Sequence, residues 1–367
     1  MAKDLKPAIR AAALERGFAL CGFAAVGPPP HGGFLREWLA AGNAAGMGYI
    51  AKGLARRLDP TLLLRGMRSL ITLAFPYAPP PVADPHWREN LRGRIAAYAA
   101  GPDYHRVVLE RLDQVAEAVR ALAPAARPLT YVDTGAILER EWADLGGIGW
   151  FGKNTMILHR LHGSWFFLGE ILTELEFEPE PIVADHCGTC RRCLDDCPTG
   201  ALTDGYVLDA RLCISYLTIE HRGAIPPELR PRLGNWIFGC DVCQEACPWN
   251  RRDDAAEAAA LQPYLPELLT LDDERFAARF RHTALWRAKR DGLLRNVAVA
   301  LGNTDNRDAV PFLARALGRD PAPMVRGHAA WSLGRLGGAA ASAALAGARR
   351  DPDGYVRGEV GAALQRA

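Results

Sequence analysis

Residues 187–198 read Cys187-Gly-Thr-Cys190-Arg-Arg-Cys193-Leu-Asp-Asp-Cys197-Pro198. This is the bacterial C-x2-C-x2-C-x3-C-P run, in which three thiolates hold one [4Fe–4S] cluster and the fourth reaches a second. Two-residue gaps let a tightly turned backbone set three thiolates around one face of a cubane, and the proline prevents helix continuation on that side. A second block, Cys240-Asp-Val-Cys243-Gln-Glu-Ala-Cys247-Pro248, supplies three more thiols, and Cys213 upstream replaces the one it lacks. The assignment closes at four and four. Cluster one takes Cys187, Cys190, Cys193 and, by the crossover, Cys247; cluster two takes Cys197, Cys213, Cys240 and Cys243. C-x2-C pairs also bind zinc, but overlapping three-cysteine runs with paired C-x3-C-P endings are not zinc spacing. Of nine cysteines only Cys21 is left over, in the apolar run Ala19-Leu20-Cys21-Gly22-Phe23, where a core thiol is expected.

The cluster segment is rich in turn residues and poor in periodicity, which fits a small insert held by metal rather than by an apolar core. Around it lie 367 residues with 49% hydrophobic and 23% charged content and a net charge of +2. That length asks for two or three structural units, and the near-neutral charge neither demands nor excludes a nucleic-acid partner. The longest apolar stretch, near Phe18–Val26, is too short to span a bilayer, and residues 1–10 read as an amphipathic helix rather than an export signal. Cysteines in an unexported chain point to metal, so a soluble cytoplasmic protein is expected.

Residues 1–180 alternate helical and extended patterns and read as an α+β domain. Leu5, Ile9, Ala12 and Ala13 form a helical stripe closed by Gly17, and Phe18–Val26 and Ser69–Phe75 read as strands. Tyr104–Leu122 predicts a long helix with Val107, Leu109, Leu112, Val115 and Val119 on its apolar stripe. Pro128–Val132 looks extended and delivers Asp133 at its end, before a helical pattern over Ala136–Leu145. Residues 181–255 form the ferredoxin-like domain and 256–367 a helical region. There Arg295, Arg326 and Arg357 recur 31 residues apart, within Leu294–Leu301, Val325–Leu333 (VRGHAAWSL) and Val356–Leu364 (VRGEVGAAL). Helix pairs at this period resemble HEAT repeats, here a short cap on the rest.

Asp133-Thr134-Gly135 matches the aspartic-protease triplet, but that chemistry needs two such carboxylates sharing a proton, and no second copy exists in the sequence. A helix N-cap is the plain alternative. The order of motifs decides otherwise. Arg57-Leu-Asp-Pro60, Gly101-Pro-Asp-Tyr104-His105, Val132-Asp133-Thr134-Gly135, Gly147-Ile-Gly-Trp-Phe-Gly-Lys-Asn154 and Gly163-Ser164 precede the double cluster; Cys213-Ile-Ser215 lies inside it and the repeats follow. Over nearly the whole chain this resembles the epoxyqueuosine reductases, which act in queuosine biosynthesis on tRNA and are related to reductive dehalogenases.

The resemblance implies a nitroreductase-like cobalamin-binding domain joined to the two-cluster domain and the HEAT-like repeats. It implies reduction of epoxyqueuosine at the tRNA wobble position to queuosine, with cobalamin as cofactor and Asp133 as proton donor. Arg57, Ala96, Asn154, Ile157, Leu168 and Ser215 would join Asp133 at the corrin, and the glycines of 146–152 would let backbone approach it. No D-x-H-x-x-G corrin-ligand motif is present; the nearest string, Asp103-Tyr-His105-Arg-Val-Val, ends without the glycine. A monomer is expected, with tRNA and a one-electron donor such as ferredoxin or flavodoxin as partners. Basic candidates for the tRNA are His221-Arg222, Arg251-Arg252 and the repeat face carrying Arg326, although periodic arginines are more often internal ladders. The competing functions are a corrinoid-dependent reductive dehalogenase and a non-catalytic iron–sulfur electron carrier.

Overall fold

The computed structural model describes residues 5–250 and 261–366; Arg251-Arg252 lie outside them. The chain forms two compact units that interleave along the sequence. The first comprises Met1–Pro79, Asp103–Arg211 and Val242–Arg252, and the second Pro80–Pro102, Leu212–Asp241 and Asp253–Ala367.

In the first unit, near-continuous apolar runs build a four-stranded antiparallel sheet of β1 (Leu20–Ala25), β2 (Ser69–Pro76), β3 (Leu129–Tyr131) and β4 (Phe166–Thr173), in the order β1-β2-β4-β3. Side chains alternate between its faces. Ile71, Leu73 and Ile171 meet α1 (Lys6–Glu15) and α2 (Tyr104–Leu122) through Ile9, Leu112, Val115 and Val119. Leu70, Ala74 and Leu172 meet α3 (Glu139–Leu145) through Trp142 and Ala143 on the other face. Helix α2 comes closest at Gly169, where a Cβ would stand 2.6 Å from Leu112 Cδ1. Cys21 packs half-buried against this core, and burial pushes its thiol up to about 12.

The predicted range of α2 matches the structure, but its buried stripe does not. Val108, Leu112, Val115, Ala116 and Val119 are buried, whereas Leu109 is exposed and Val107 only half-buried. Counting four back from Leu112 reaches Val108, and a helix face follows that spacing rather than the local density of apolar residues.

In the second unit the three sequence copies each fall within one helix, α4 (Lys289–Gly302), α6 (Pro323–Leu336) and α8 (Gly354–Leu364), with α5 (Val310–Arg319) and α7 (Ala339–Gly347) between them. Their arginines serve the chain itself. Arg295 is buried and donates to the carbonyls of Leu217, His221 and Gly223. Arg326 pairs with Asp351 through two bonds and also reaches the carbonyls of Asp320 and Pro321. Asn296 adds bonds to the carbonyls of Thr218 and Ile237. Helix α4 is therefore core to the second unit rather than part of a detachable cap, because its polar side chains satisfy backbone groups that would otherwise be buried unpaired.

Arg230 of this unit is 1% exposed and makes a two-pronged pair with Glu359, at 2.8 and 2.6 Å. Glu359→Ala would leave that guanidinium buried without its counter-charge. The expected cost is about 3–5 kcal/mol, read as a lower midpoint in urea; an unchanged midpoint would show that the pair holds nothing together.

Candidate cluster-binding and proton-donor site

The thiols of Cys187, Cys190, Cys193 and Cys247 line a single cavity of about 60 Å³ in the first unit, several times the room that one water needs. Burial pushes Cys193 up to about 11, and Cys247, Cys187 and Cys190 add to the shift; Cys187 and Cys247 are raised as well, again chiefly by burial. Four sulfurs drawn into one enclosed space repel as thiolates, and a cationic iron core bonded to all four removes that penalty. The donor set and the room both fit a cluster.

The two cysteine blocks share a local design. Short helices at Arg192–Asp195 and Val242–Glu245 carry Cys193 and Cys243. After each Cys-Pro the chain makes the same turn, Gly200 N–H donating to Cys197 O at 3.1 Å and Asn250 N–H to Cys247 O at 3.0 Å. Lys153 Nζ ties down the first block by donating to the carbonyls of Gly188 and Cys190. The second block is knotted to Gly163-Ser164: Asn250 Oδ1 accepts from Ser164 N–H at 2.6 Å, and Gln244 Nε2 donates to Ser164 O and Oγ. Gly163 is required there, since its φ is +59° and a Cβ would lie 2.0 Å from Asn250 Oδ1. Cys197 and Cys243 also belong to the first unit, and Cys213 and Cys240 to the second.

Asp133 follows β3 directly, at the left-handed φ of 49°, a conformation an L-residue adopts at a cost. Gly135 lets the turn close, because a Cβ would be 2.4 Å from Tyr131 Cδ1. The Asp133 N–H donates to Glu139 Oε1 at the start of α3. On the carboxylate, Oδ2 accepts from Tyr104 Oη at 2.7 Å and faces His105 Nε2 at 2.9 Å. The other imidazole nitrogen, Nδ1, lies 2.7 Å from Asp103 Oδ1. With a carboxylate at each nitrogen, the doubly protonated ring is the form that suits the geometry. Burial lowers the His105 pKa, but the bonds from Asp133 and Asp103 outweigh it and the net shift is upward.

Behind Asp133 stand two further acids, Glu139 half-buried and Glu170 fully buried. Burial first and the Asp133 charge second raise Glu139 to about 7. Glu170, in the middle of β4, is fully buried and raised well above the carboxylate range by burial, with Glu139 and Asp133 adding. Glu139 approaches Glu170 closely enough for a side-chain bond that raises it further, although neither Glu170 oxygen meets full hydrogen-bond geometry with any partner among the described residues.

Of the residues expected at the corrin, Arg57, Asn154, Ile157 and Leu168 share the first unit with Asp133, while Ala96 and Ser215 belong to the second. Asn154 is buried, donating to Cys243 O and accepting from Met156 N–H. Ile157 is in the core and Leu168 is half-buried beside it. Arg57 donates through Nη1 to Ile137 O at 2.9 Å, but its buried Nε–H has no acceptor in the chain. The glycines of 146–152 face the protein itself: a Cβ on Gly146 would meet Thr72 at 2.3 Å, and one on Gly149 would meet Leu158 O at 2.0 Å. Their small size serves that packing. His221 and Arg222 lie in the second unit. Burial lowers the His221 pKa, and Arg222 is exposed, with its Nη groups on the carbonyls of Ile219, Arg287 and Ala288.

Sequence reasoning missed Tyr104, His105, Glu139 and Glu170 as members of the Asp133 site. The available signal is Asp103-Tyr104-His105 at the N-terminus of α2, which the sequence offers both as a family motif and as the nearest corrin-ligand string. For Glu170 the signal was a carboxylate inside an otherwise apolar strand.

Comparison with known proteins agrees with this geometry. Residues 57–134 match the family model described as "Epoxyqueuosine reductase QueG, DUF1730", residues 186–250 the 4Fe-4S double cluster binding domain, and residues 282–365 HEAT repeats. Epoxyqueuosine reductase of Pseudomonas aeruginosa is 39% identical over 335 residues, covering 88% of this chain and 92% of its own. That of Xanthomonas campestris is 37% identical, covering 91% and 97%. Among solved structures, epoxyqueuosine reductase with an epoxyqueuosine-modified tRNA-Tyr stem loop superposes with a TM-score of 0.91 at 30% identity, covering 99% of this chain and 98% of that one. The Bacillus subtilis enzyme, with an aspartate catalytic loop swung out of its active site, gives a TM-score of 0.90 at 30% identity, with 99% and 98% covered. The fold is therefore the α+β, double-cluster and HEAT-repeat architecture expected from the sequence, and the chain belongs to the epoxyqueuosine reductase family.

Proposed function

We propose that this protein reduces the epoxide of epoxyqueuosine in a tRNA anticodon loop to the alkene of queuosine. The balance is epoxide plus two electrons plus two protons giving alkene plus water: both C–O bonds of the ring break, a C=C bond forms, and the oxygen leaves carrying both protons. The observation that carries this reading is the Asp133 carboxylate, held by Tyr104 and His105 in the unit that also houses the four-thiol cavity. A relative of the same fold is known with an epoxyqueuosine-modified stem loop, which supports tRNA as the substrate. An anticodon loop offers a base that can be splayed into a pocket without opening a duplex.

Asp133 is the proton donor to the departing oxygen. Tyr104 and His105 orient its carboxyl, and the imidazolium is held charged by Asp103 and Asp133 together. The strained φ at Asp133 suits a loop that moves between two positions, as the loop of the B. subtilis relative does. Cobalamin bound beside Asp133 supplies a cobalt centre able to attack or reduce an epoxide carbon, chemistry that side chains lack. Arg57, with its unpaired Nε–H, suits the amide carbonyls that fringe a corrin, and Asn154, Ile157, Leu168, Ala96 and Ser215 complete the assignment. Cys187, Cys190, Cys193 and Cys247 hold cluster one, and Cys197, Cys213, Cys240 and Cys243 hold cluster two, passing electrons singly from a ferredoxin- or flavodoxin-type donor.

For the RNA, Arg222 is the better of the two expected contacts, since three of its five N–H donors are engaged and two remain for a phosphate. His221, kept neutral, contributes a hydrogen bond at most. The protein is assigned to the cytoplasm as a monomer; among the described residues no helix is long and apolar enough to cross a membrane.

Three outcomes test this reading. Incubation with epoxyqueuosine-containing tRNA, cobalamin and a strong reductant should yield queuosine by nucleoside mass spectrometry, and unreacted epoxide would sink the activity. Asp133→Asn, which cannot release a carboxyl proton, should lose a factor of about 10² to 10⁴ in turnover while retaining its tRNA affinity; wild-type rates would remove Asp133 from the chemistry. Anaerobic preparations should contain about eight iron and eight sulfide per chain, and Cys213→Ala should remove cluster two while sparing cluster one. Stoichiometric zinc in place of iron would overturn the cluster assignment.

A further inference from the structure

The proposed reaction consumes two protons per turnover, and Asp133 carries one. On its solvent side stands His105, whose ring is clamped between Asp103 and Asp133, so that losing a proton would forfeit a charge-assisted bond. On its buried side stand Glu139, bonded to the Asp133 backbone, and Glu170, cross-strand from Thr72 in β2 and from Tyr131 in β3. Glu170 is 0% exposed, and among the described residues both of its oxygens, like the buried Thr72 Oγ1, lack a partner of full hydrogen-bond geometry, Glu139 being the side chain that approaches it. A carboxylate buried without a partner is heavily penalised, so such a group keeps its proton. Nothing in the packing of this sheet face asks for a carboxyl at position 170: the neighbouring side chains on the same face of β4, Leu168 and Leu172, are apolar.

We infer that the buried Glu170 and the half-buried Glu139 form a proton reserve that reloads Asp133 with the second proton of the reduction. The step moves a proton from the Glu139 carboxyl to the Asp133 carboxylate and from Glu170 to Glu139, leaving one negative charge on the pair until solvent refills it through Asp133. No redox partner beyond those of the main reaction is needed. A turn of the Asp133 or Glu139 side chain completes the path, since the two residues are already joined at the Asp133 amide. Both glutamates act through Asp133 and touch no substrate.

The charged surroundings suit such a relay. Glu139 faces Asp133, Arg140 of α3 and Arg57, and the arginines stabilise the anion that forms after transfer, whereas Glu170 faces the acids Glu139 and Asp133. From α2, Asp103, Tyr104 and His105 bear on Asp133 itself. Glu139 at about 7 and Glu170 well above the ordinary range set the order of transfer. A native pKa raised above the unfolded value means that the folded state holds extra protons, so stability falls as pH rises from about 4.5 toward 7.

The inference rests on the proposed reaction, and its test separates the two. Glu170→Gln matches the neutral acid in size but cannot release a proton. With pre-reduced holoenzyme and epoxyqueuosine-tRNA, wild-type turnover should fall above about pH 7 as Glu139 loses its proton. In Glu170→Gln and Glu139→Gln, turnover should drop on the order of tenfold and that high-pH limb should move or vanish, with KM for tRNA unchanged. A limb that survives in both variants and moves only in His105→Gln would overturn the proposal. Two further readouts need no substrate. The infrared difference between wild type and Glu170→Gln at about pH 8 should contain a protonated-carboxyl C=O band that shifts in D₂O, and the Gln variant should be the more stable protein at that pH. An ionised carboxylate at position 170, or a destabilised Gln variant, would refute the reserve. If wild type fails to reduce epoxyqueuosine while the band persists, the reaction assignment is what falls.

Discussion

Cys247 lines one cavity with Cys187, Cys190 and Cys193, although the chain between them leaves the first unit after Arg211 and folds with the second through Asp241. A cubane needs four sulfurs at fixed separations, so this return is a constraint on topology and not only on a loop. It explains why Val242–Glu245 repeats the short helix of Arg192–Asp195, and why the turn after Cys247-Pro248 copies the turn after Cys197-Pro198. It also explains the polar knot of Ser164, Gln244 and Asn250, buried where an apolar contact would pack as well. Directed hydrogen bonds fix the returning segment at one register, which apolar packing alone specifies less sharply.

What was legible in the sequence is what depends on near neighbours. Cysteine spacing encodes ligation, because the backbone between two thiolates must turn within two or three residues. The limits of α2, the end of β3 and the delivery of Asp133 there followed from local periodicity, and so did the repeat helices. The Asp133 site was only partly legible. Tyr104 and His105 approach it from α2, Glu139 from α3 and Glu170 from β4, and no spacing rule links those positions. The glycines of 146–152 and the repeat arginines were recognisable as unusual, but whether a glycine makes room for a ligand or for Leu158, and whether an arginine meets phosphate or Asp351, is decided by residues far away in sequence.

The sheet of the first unit carries two environments on its two faces. Toward α1 and α2 it is mainly apolar, with Ser69 and Thr173 paired at one end, and supplies the cohesion of the unit. Toward α3 the same strands bury Glu170 and Thr72 among Leu70, Leu172 and Trp142. Unpaired polar atoms in such a setting cost stability, and they sit behind the residue assigned to proton transfer, at φ 49°. Strain and unmet hydrogen-bonding capacity meet at this corner, the pattern expected where function opposes stability.

That corner also separates two kinds of proton. His105, reached through Asp103 at the first turn of α2, is accessible and held charged, which suits fixing the direction of the Asp133 carboxyl. Glu139 lies half-buried on the opposite side of Asp133 and Glu170 out of water behind it, where a proton can be kept through the period when bound RNA covers the carboxyl. An acid that faced only solvent would lose its supply whenever the substrate excluded water, and an acid fed only from within could never be refilled. Asp133 is 45% exposed and bonded to both sides. Its position at the end of a short strand, between a helix start on each side, lets a single residue connect the two.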